Sequence, residues 1–135
     1  YPIRFKTNAQ RGGCLENIYV RNSRVNKSKI AVVHADFFYE EGHHGPHLPL
    51  LRNITLENFQ TVEGGSIDAK YAFYLKGFED APIENVAFKD MVLTGVKGHA
   101  VLENIKGMSL SNVVINGKQQ PDRVFDVDAA GGMAG

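Results

Sequence analysis

Leu51-Arg52-Asn53-Ile54-Thr55-Leu56 is one copy of a unit that occurs four times along the chain. The others are Leu15-Glu16-Asn17-Ile18-Tyr19-Val20, Ile83-Glu84-Asn85-Val86-Ala87-Phe88 and Leu110-Ser111-Asn112-Val113-Val114-Ile115. A recurring unit of this form, apolar–X–Asn–apolar–X–apolar, encodes stacked and equivalent strands. The asparagines stand 36, 32 and 27 residues apart. A constant unit at uneven steps predicts fixed strands joined by loops of varying length. That is a β-solenoid, built coil by coil.

Stacked copies must make physical sense column by column. The columns Leu15/Leu51/Ile83/Leu110, Ile18/Ile54/Val86/Val113 and Val20/Leu56/Phe88/Ile115 are apolar throughout. The last two lie at i and i+2, one face of a strand. Facing outward, Glu16, Arg52 and Glu84 alternate in sign, as do Arg21, Glu57 and Lys89. Adjacent strands lie about 4.8 Å apart, so opposite charges in neighbouring coils pair. Each exposed pair contributes only about 0.2–1 kcal/mol, which makes the columns evidence for register rather than for stability. Asn17, Asn53, Asn85 and Asn112 form a column where the chain bends, and stacked amides can hydrogen-bond from coil to coil.

Other strand-like runs fall between the units: Ile3 to Thr7, Lys29 to Phe38, Ala69 to Leu75 and His99 to Leu102. Leu75 aligns with Leu102 and Phe78 with Ile105, each 27 residues on, matching the third step. The expectation is about four coils over residues 1–120, each with two or three short strands, followed by a tail over 121–135. Glu40 to Leu50 is the one large insertion, and Gly131 to Gly135 reads as a frayed end.

At 135 residues the chain is one domain with enough length for a core. Fifteen basic residues balance fifteen acidic ones, which gives no support for a nucleic-acid or anionic-membrane partner. No apolar run reaches membrane-span length, and no secretory signal is expected from these residues. Without an initiator Met, the sequence reads as a processed product or a cut piece. Cys14 is the single cysteine and has no partner for an internal disulfide, which leaves the redox compartment open.

Arg4 and Lys6 sit at i and i+2 of an alternating run, with Ile3 and Phe5 on the opposite face. Two cations about 7 Å apart on one face suit a carboxylate or sulfate, although a solvated outer face has the same pattern. Glu40, Glu41, His43, His44 and His47 cluster in the insertion. His43 and His47 would ligate a metal from a helix, but Gly45-Pro46 breaks one, so an exposed loop is expected. Asp122, Asp126 and Asp128 form a weak calcium-like string without the Gly turn and terminal Glu, and no metal or cofactor is expected.

Ile3-Arg4-Phe5-Lys6-Thr7-Asn8, Arg11-Gly12-Gly13 and Leu15-Glu16-Asn17-Ile18-Tyr19 together resemble the Arg-X-Lys segment of glycoside hydrolase family 28, the polygalacturonases, especially the bacterial type. Phe38-Tyr39-Glu40-Glu41-Gly42, Leu51-Arg52-Asn53-Ile54, Tyr71-Ala72-Phe73-Tyr74-Leu75-Lys76-Gly77, Ala81-Pro82-Ile83-Glu84-Asn85-Val86 and Asn104-Ile105-Lys106-Gly107-Met108-Ser109-Leu110 follow in order. The resemblance runs from Ile3 to about Gly117. It implies an all-β chain folded as a short right-handed parallel β-helix, a pectin-lyase-like solenoid. It further implies that Arg4 and Lys6 bind a galacturonate carboxylate, that Tyr39 lines the same subsite, and that the parent is secreted, periplasmic or at the cell surface.

The family's catalytic Asn-Thr-Asp, Asp-Asp and Gly-His-Gly segments precede the Arg-X-Lys segment. Inverting glycosidases use one carboxyl as acid and another as base, about 6.5–9.5 Å apart. Neither Asn-Thr-Asp nor Asp-Asp occurs here, and Gly98-His99 lacks the second glycine. The expectation is therefore a C-terminal portion of such an enzyme, with substrate-binding residues but no catalytic acids. Two other functions share these residues: a non-catalytic module for acidic polysaccharide, and an oligomer with a new inter-subunit site. An open coil end exposes strand edges and core, so a homo-oligomer through the N-terminal coil is expected.

Overall fold

The structure, a computed structural model, describes residues 3–5, 14–27, 31–36, 50–98 and 100–128, with the backbone alone at 3–5, 14 and 36. Among these residues ten strands follow in order: β1 (Ile3–Phe5), β2 (Cys14–Val25), β3 (Ala31–Asp36), β4 (Leu50–Thr61), β5 (Tyr71–Lys76), β6 (Ile83–Leu93), β7 (Ala100–Glu103), β8 (Ile105–Ile115), β9 (Lys118–Gln119) and β10 (Arg123–Val127). Among the described residues there is no helix. One parallel sheet has the order β1-β3-β5-β7, and a second stacks β2, β4, β6 and β8 in parallel. From β1 to β8 the odd strands lie in the first sheet and the even ones in the second, so each successive pair makes one coil. The result is a right-handed parallel β-helix of four coils, as expected.

The long strands bend where the asparagines sit. Asn17, Asn53 and Asn85 have φ of 59°, 56° and 53°, and Gly107 takes the fourth place at 74°. Five residues later Asn22, Asn58, Asp90 and Asn112 form a second left-handed column, at 60°, 58°, 53° and 54°. Asn and Asp tolerate this conformation better than other L-residues. Each such residue also shifts the phase of in–out alternation. In β4 the buried positions are Leu51, Ile54, Leu56 and Phe59. The two three-residue gaps span Asn53 and Asn58, so all three segments of the bent strand face inward. Inside, Phe73 of β5 stacks on Phe88 of β6 with centroids 4.2 Å apart and planes at 8°.

The first three copies stack as read: Leu15 pairs with Leu51, Ile18 with Ile54 and Ile54 with Val86, and Val20 with Leu56 and Leu56 with Phe88. The fourth copy is corrected. Val86 pairs with Met108 and Phe88 with Leu110, which puts Ile105-Lys106-Gly107-Met108-Ser109-Leu110 in register and Asn112 beside Asp90. Leu75 pairs with Leu102 as expected, but Ile105 pairs with Ile83 rather than Phe78. The reason lies at one corner. Residues 77–82 connect β5 to β6, whereas Asn104 alone connects β7 to β8. The second sheet consequently advances by 22 residues, from Ile83 to Ile105, where the first advances by 27, from Lys76 to Glu103.

The single-residue corner is firmly bonded to the longer one. Gly77 N–H donates to Glu103 O at 2.9 Å, Ile83 N–H to Asn104 O at 3.0 Å, and Asn104 Nδ2 to Gly77 O at 3.2 Å. A Cβ on Gly77 would stand 2.6 Å from Asn104 O, so only glycine fits this approach. With the register corrected, Lys106 extends the alternating column Glu16, Arg52, Glu84. Arg52 Nε donates to Glu16 Oε2 at 2.7 Å across the first of these steps.

After β8 the chain reverses. Asn116 and Gly117, both at positive φ, make the turn that two-residue hairpins favour, and β9 and then β10 pair antiparallel with β8. Asp126 Oδ1 accepts from Gly107 N–H and Asp122 Oδ1 from Asn112 N–H, each at 2.9 Å, while Asp128 O accepts from Asn104 N–H at 3.1 Å. The acidic string thus satisfies three corner amides of the last coil.

Candidate functional site

One set of alternate positions in the first sheet lines up across the coils. Arg4 is in register with His34, His34 with Tyr74, and Tyr74 with Val101. Two residues further along the strands, Asp36 is in register with Lys76 and Lys76 with Glu103. The backbone of Arg4 therefore heads a column that continues with aromatic and charged residues. Of the three site residues expected from the sequence, Arg4 lies on β1, while Lys6 and Tyr39 fall outside the described residues. The cluster Glu40, Glu41, His43, His44 and His47 does too, as do His99 and Gly131 to Gly135.

His34 is 7% exposed, and its ring stacks on Tyr74 with centroids 4.9 Å apart and planes at 10°. Tyr71 tilts against Tyr74 at 5.8 Å. Lys76 Nζ lies 5.2 Å from the centre of the Tyr74 ring, within cation–π range, and 3.4 Å from Glu103 Oε2. Burial acts against the Lys76 ammonium. Hydrogen bonding to Tyr74 and the neighbouring Glu103 carboxylate outweigh it and hold the amine above the ordinary lysine value. Lys76 and Glu103 remain partly open to solvent, at 28% and 30% of their side-chain surface. The face thus offers a hydroxyl, an ammonium and a carboxylate side by side on a rigid sheet, which suits hydrogen bonding to a polyhydroxylated ligand.

Sequence reasoning assigned no role to His34, Tyr74, Lys76 or Glu103. The signal was present: His34-X-Asp36, Tyr74-X-Lys76 and Val101-X-Glu103 have the spacing of Arg4-X-Lys6.

Two shallow hollows lie elsewhere. One of about 190 Å³ is lined by Asn22, Ser23, Arg24, Asn58 and Gln60, but its amides bond one another, from Asn58 to Asn22 at 2.8 Å and from Gln60 to Asn58 at 3.0 Å. The other, also about 190 Å³, includes Glu79, Lys106, Asp126 and Asp128, where Asp126 caps Gly107. Among the described residues no group of three or more His, Cys, Asp or Glu is placed to hold a metal ion.

No protein-family model and no curated protein sequence matches the chain. Among solved structures, a hyperthermoactive exopolygalacturonase from Thermotoga maritima superposes with a TM-score of 0.81 at 25% identity, over 93% of this chain. The fold is a polygalacturonase-like β-helix. The match takes in 27% of the Thermotoga chain, so this polygalacturonase-like β-helix spans about a quarter of that enzyme's length.

Proposed function

We propose that the chain is the C-terminal β-helix part of a family 28 polygalacturonase-like glycoside hydrolase acting on pectic, galacturonate-containing polysaccharide. On this reading Arg4 and Lys6 bind a uronate carboxylate and Tyr39 offers a ring to the sugar face. The observation that carries it is the superposition of nearly the whole chain on a quarter of an exopolygalacturonase. The order of motifs from Ile3 to Gly117 supports the same assignment. With neither Asn-Thr-Asp nor Asp-Asp in these 135 residues, the acid and base of an inverting reaction must come from elsewhere. The pure chain should therefore release no reducing ends from polygalacturonate yet bind oligogalacturonides, and Arg4→Ala or Lys6→Ala should weaken that binding by about tenfold. Turnover by the pure chain would overturn the reading in favour of a complete site assembled between copies. Unchanged affinity in both variants would leave an acidic-polysaccharide module with a different site.

A second observation favours self-association. Leu15, Ile18 and Val20 on β2 are only partly buried, whereas their register partners Leu51, Ile54 and Leu56 on β4 are fully buried. A second copy stacking on the β2 side would cover them, each Å² of apolar area removed from water contributing about 25 cal/mol. Light scattering across a concentration series should show a homo-oligomer, and a monomer at all concentrations would remove this part of the reading.

A further inference from the structure

We propose that Tyr74, Lys76 and Glu103 form a second saccharide-binding position on the outer face of the first sheet, one that reads vicinal hydroxyls rather than a carboxylate. The proposal rests on the pectic reading above. It starts from geometry: the register runs Arg4, His34, Tyr74, so Tyr74 lies two strand spacings, about 10 Å, from the backbone of Arg4 along the solenoid. A polymer held at Arg4 and running across the strands passes over Tyr74 and then Glu103.

The chemistry of the position follows from its charge balance. Lys76 Nζ and Glu103 Oε2 are 3.4 Å apart, longer than the 2.7–2.9 Å or so of a tight charge-assisted bond. A carboxylate arriving here would meet Glu103 as a like charge. A pair of adjacent hydroxyls meets no such conflict: one accepts from the Lys76 ammonium while the other donates to the Glu103 carboxylate. Tyr74 adds a third group. Its ring lies nearly parallel to the His34 ring in the preceding coil, and its hydroxyl hydrogen-bonds with Lys76. The buried His34 ring fixes that orientation before any ligand arrives, which lowers the entropic cost of binding.

The position should therefore accept free and methyl-esterified uronate units alike, whereas Arg4 and Lys6 should require the free acid. The test titrates trigalacturonate and its fully methyl-esterified form into wild type, Lys76→Met, Glu103→Gln, Tyr74→Phe and the Arg4→Ala/Lys6→Ala double variant. Far-UV circular dichroism and thermal midpoints check that each is folded. Lys76→Met and Glu103→Gln should each weaken both ligands, by about tenfold for loss of a hydrogen bond to a charged group. Tyr74→Phe should weaken both more modestly, and the double variant should weaken only the free acid. Tighter trigalacturonate binding by Glu103→Gln, or unchanged binding by Lys76→Met and Glu103→Gln, would overturn the position while leaving the Arg4 reading intact. No binding of either ligand by wild type would overturn both.

Discussion

Asn85 donates its side-chain amide to Asn53 Oδ1 at 3.1 Å, and both residues hold the left-handed backbone conformation. Asn53 in turn donates to Asn17 Oδ1 at 3.0 Å, so one side chain satisfies two neighbouring coils while its own backbone turns the corner. Alanine at position 53 would lose both amide bonds and add left-handed strain of about 1–2 kcal/mol. Glycine would lose the bonds without the strain. In urea unfolding, Asn53→Ala should cost about 2–3 kcal/mol and Asn53→Gly about 1 kcal/mol. Equal costs would show that the corner conformation is not what the asparagine supplies.

Gly77→Ala should destabilise by about 1–3 kcal/mol, because the new Cβ meets backbone atoms, Asn104 O at 2.6 Å and Ile83 N at 2.8 Å. Both belong to the corner where the two sheets take different steps. A thermal midpoint unchanged from wild type would mean that the corner yields freely.

The Phe73–Phe88 stack ties the two sheets together through the core. Phe88→Ala should cost about 3–5 kcal/mol. Phe73→Ala combined with it should cost less than the two single changes added, by roughly 0.5–1.5 kcal/mol, since each ring loses the same partner. Strict additivity in chemical denaturation would argue against direct ring coupling.

Stability should decline at both ends of the pH range for separate reasons. Lys27 donates to Asp68 at 2.9 Å and Ser66 donates at 2.8 Å, and these bonds hold the Asp68 carboxyl below its ordinary value of 3.8. A folded pKa below the unfolded one gives stability that is present above about pH 3.8 and lost as pH falls through the folded value. Lys76 has the opposite sign. Raised above 10.5 when folded, it contributes fully below that pH, and the contribution is lost as pH rises through the folded value. Asp68→Asn should flatten the acid limb alone, and Lys76→Met the alkaline limb alone, in melting temperatures measured from pH 2 to 12.

Asp122 and Asp126 cap two amides of the last coil, at Asn112 and Gly107. Each change to alanine should cost about 1 kcal/mol, and the two should add because they serve different corners. Truncation after Gly117 removes β9 and β10 and leaves the outer edge of β8 bare. Open edges recruit other chains, so the truncated protein should aggregate where the full chain does not. Calcium should raise the melting temperature of neither.

The first three repeat units were legible because a period-two pattern with charge alternation can be checked column against column. The second left-handed column was equally available in Asn22, Asn58, Asp90 and Asn112, five residues after the first. It went unread because Asp90 breaks the residue identity while keeping the backbone conformation. The fourth unit misled for a related reason. Asn112 has a neighbourhood like that of Asn85, yet its place belongs to the second column, and Gly107 fills the first. Glycine supplies the same conformation with no side chain to match.

Hydrophobic alternation, corner asparagines and charge columns are local properties, and they were enough to specify a stacked parallel solenoid. Loop length is not local in its effect. A corner of one residue at Asn104 against six at 77–82 shifted the register of the second sheet relative to the first, and only closure of the coil could decide that. The same closure brought Tyr74, Lys76 and Glu103 onto the face headed by Arg4 and turned three spaced aspartates into a cap for the last coil. Groups far apart in the chain become neighbours when strands stack about 4.8 Å apart, a distance the linear sequence does not contain.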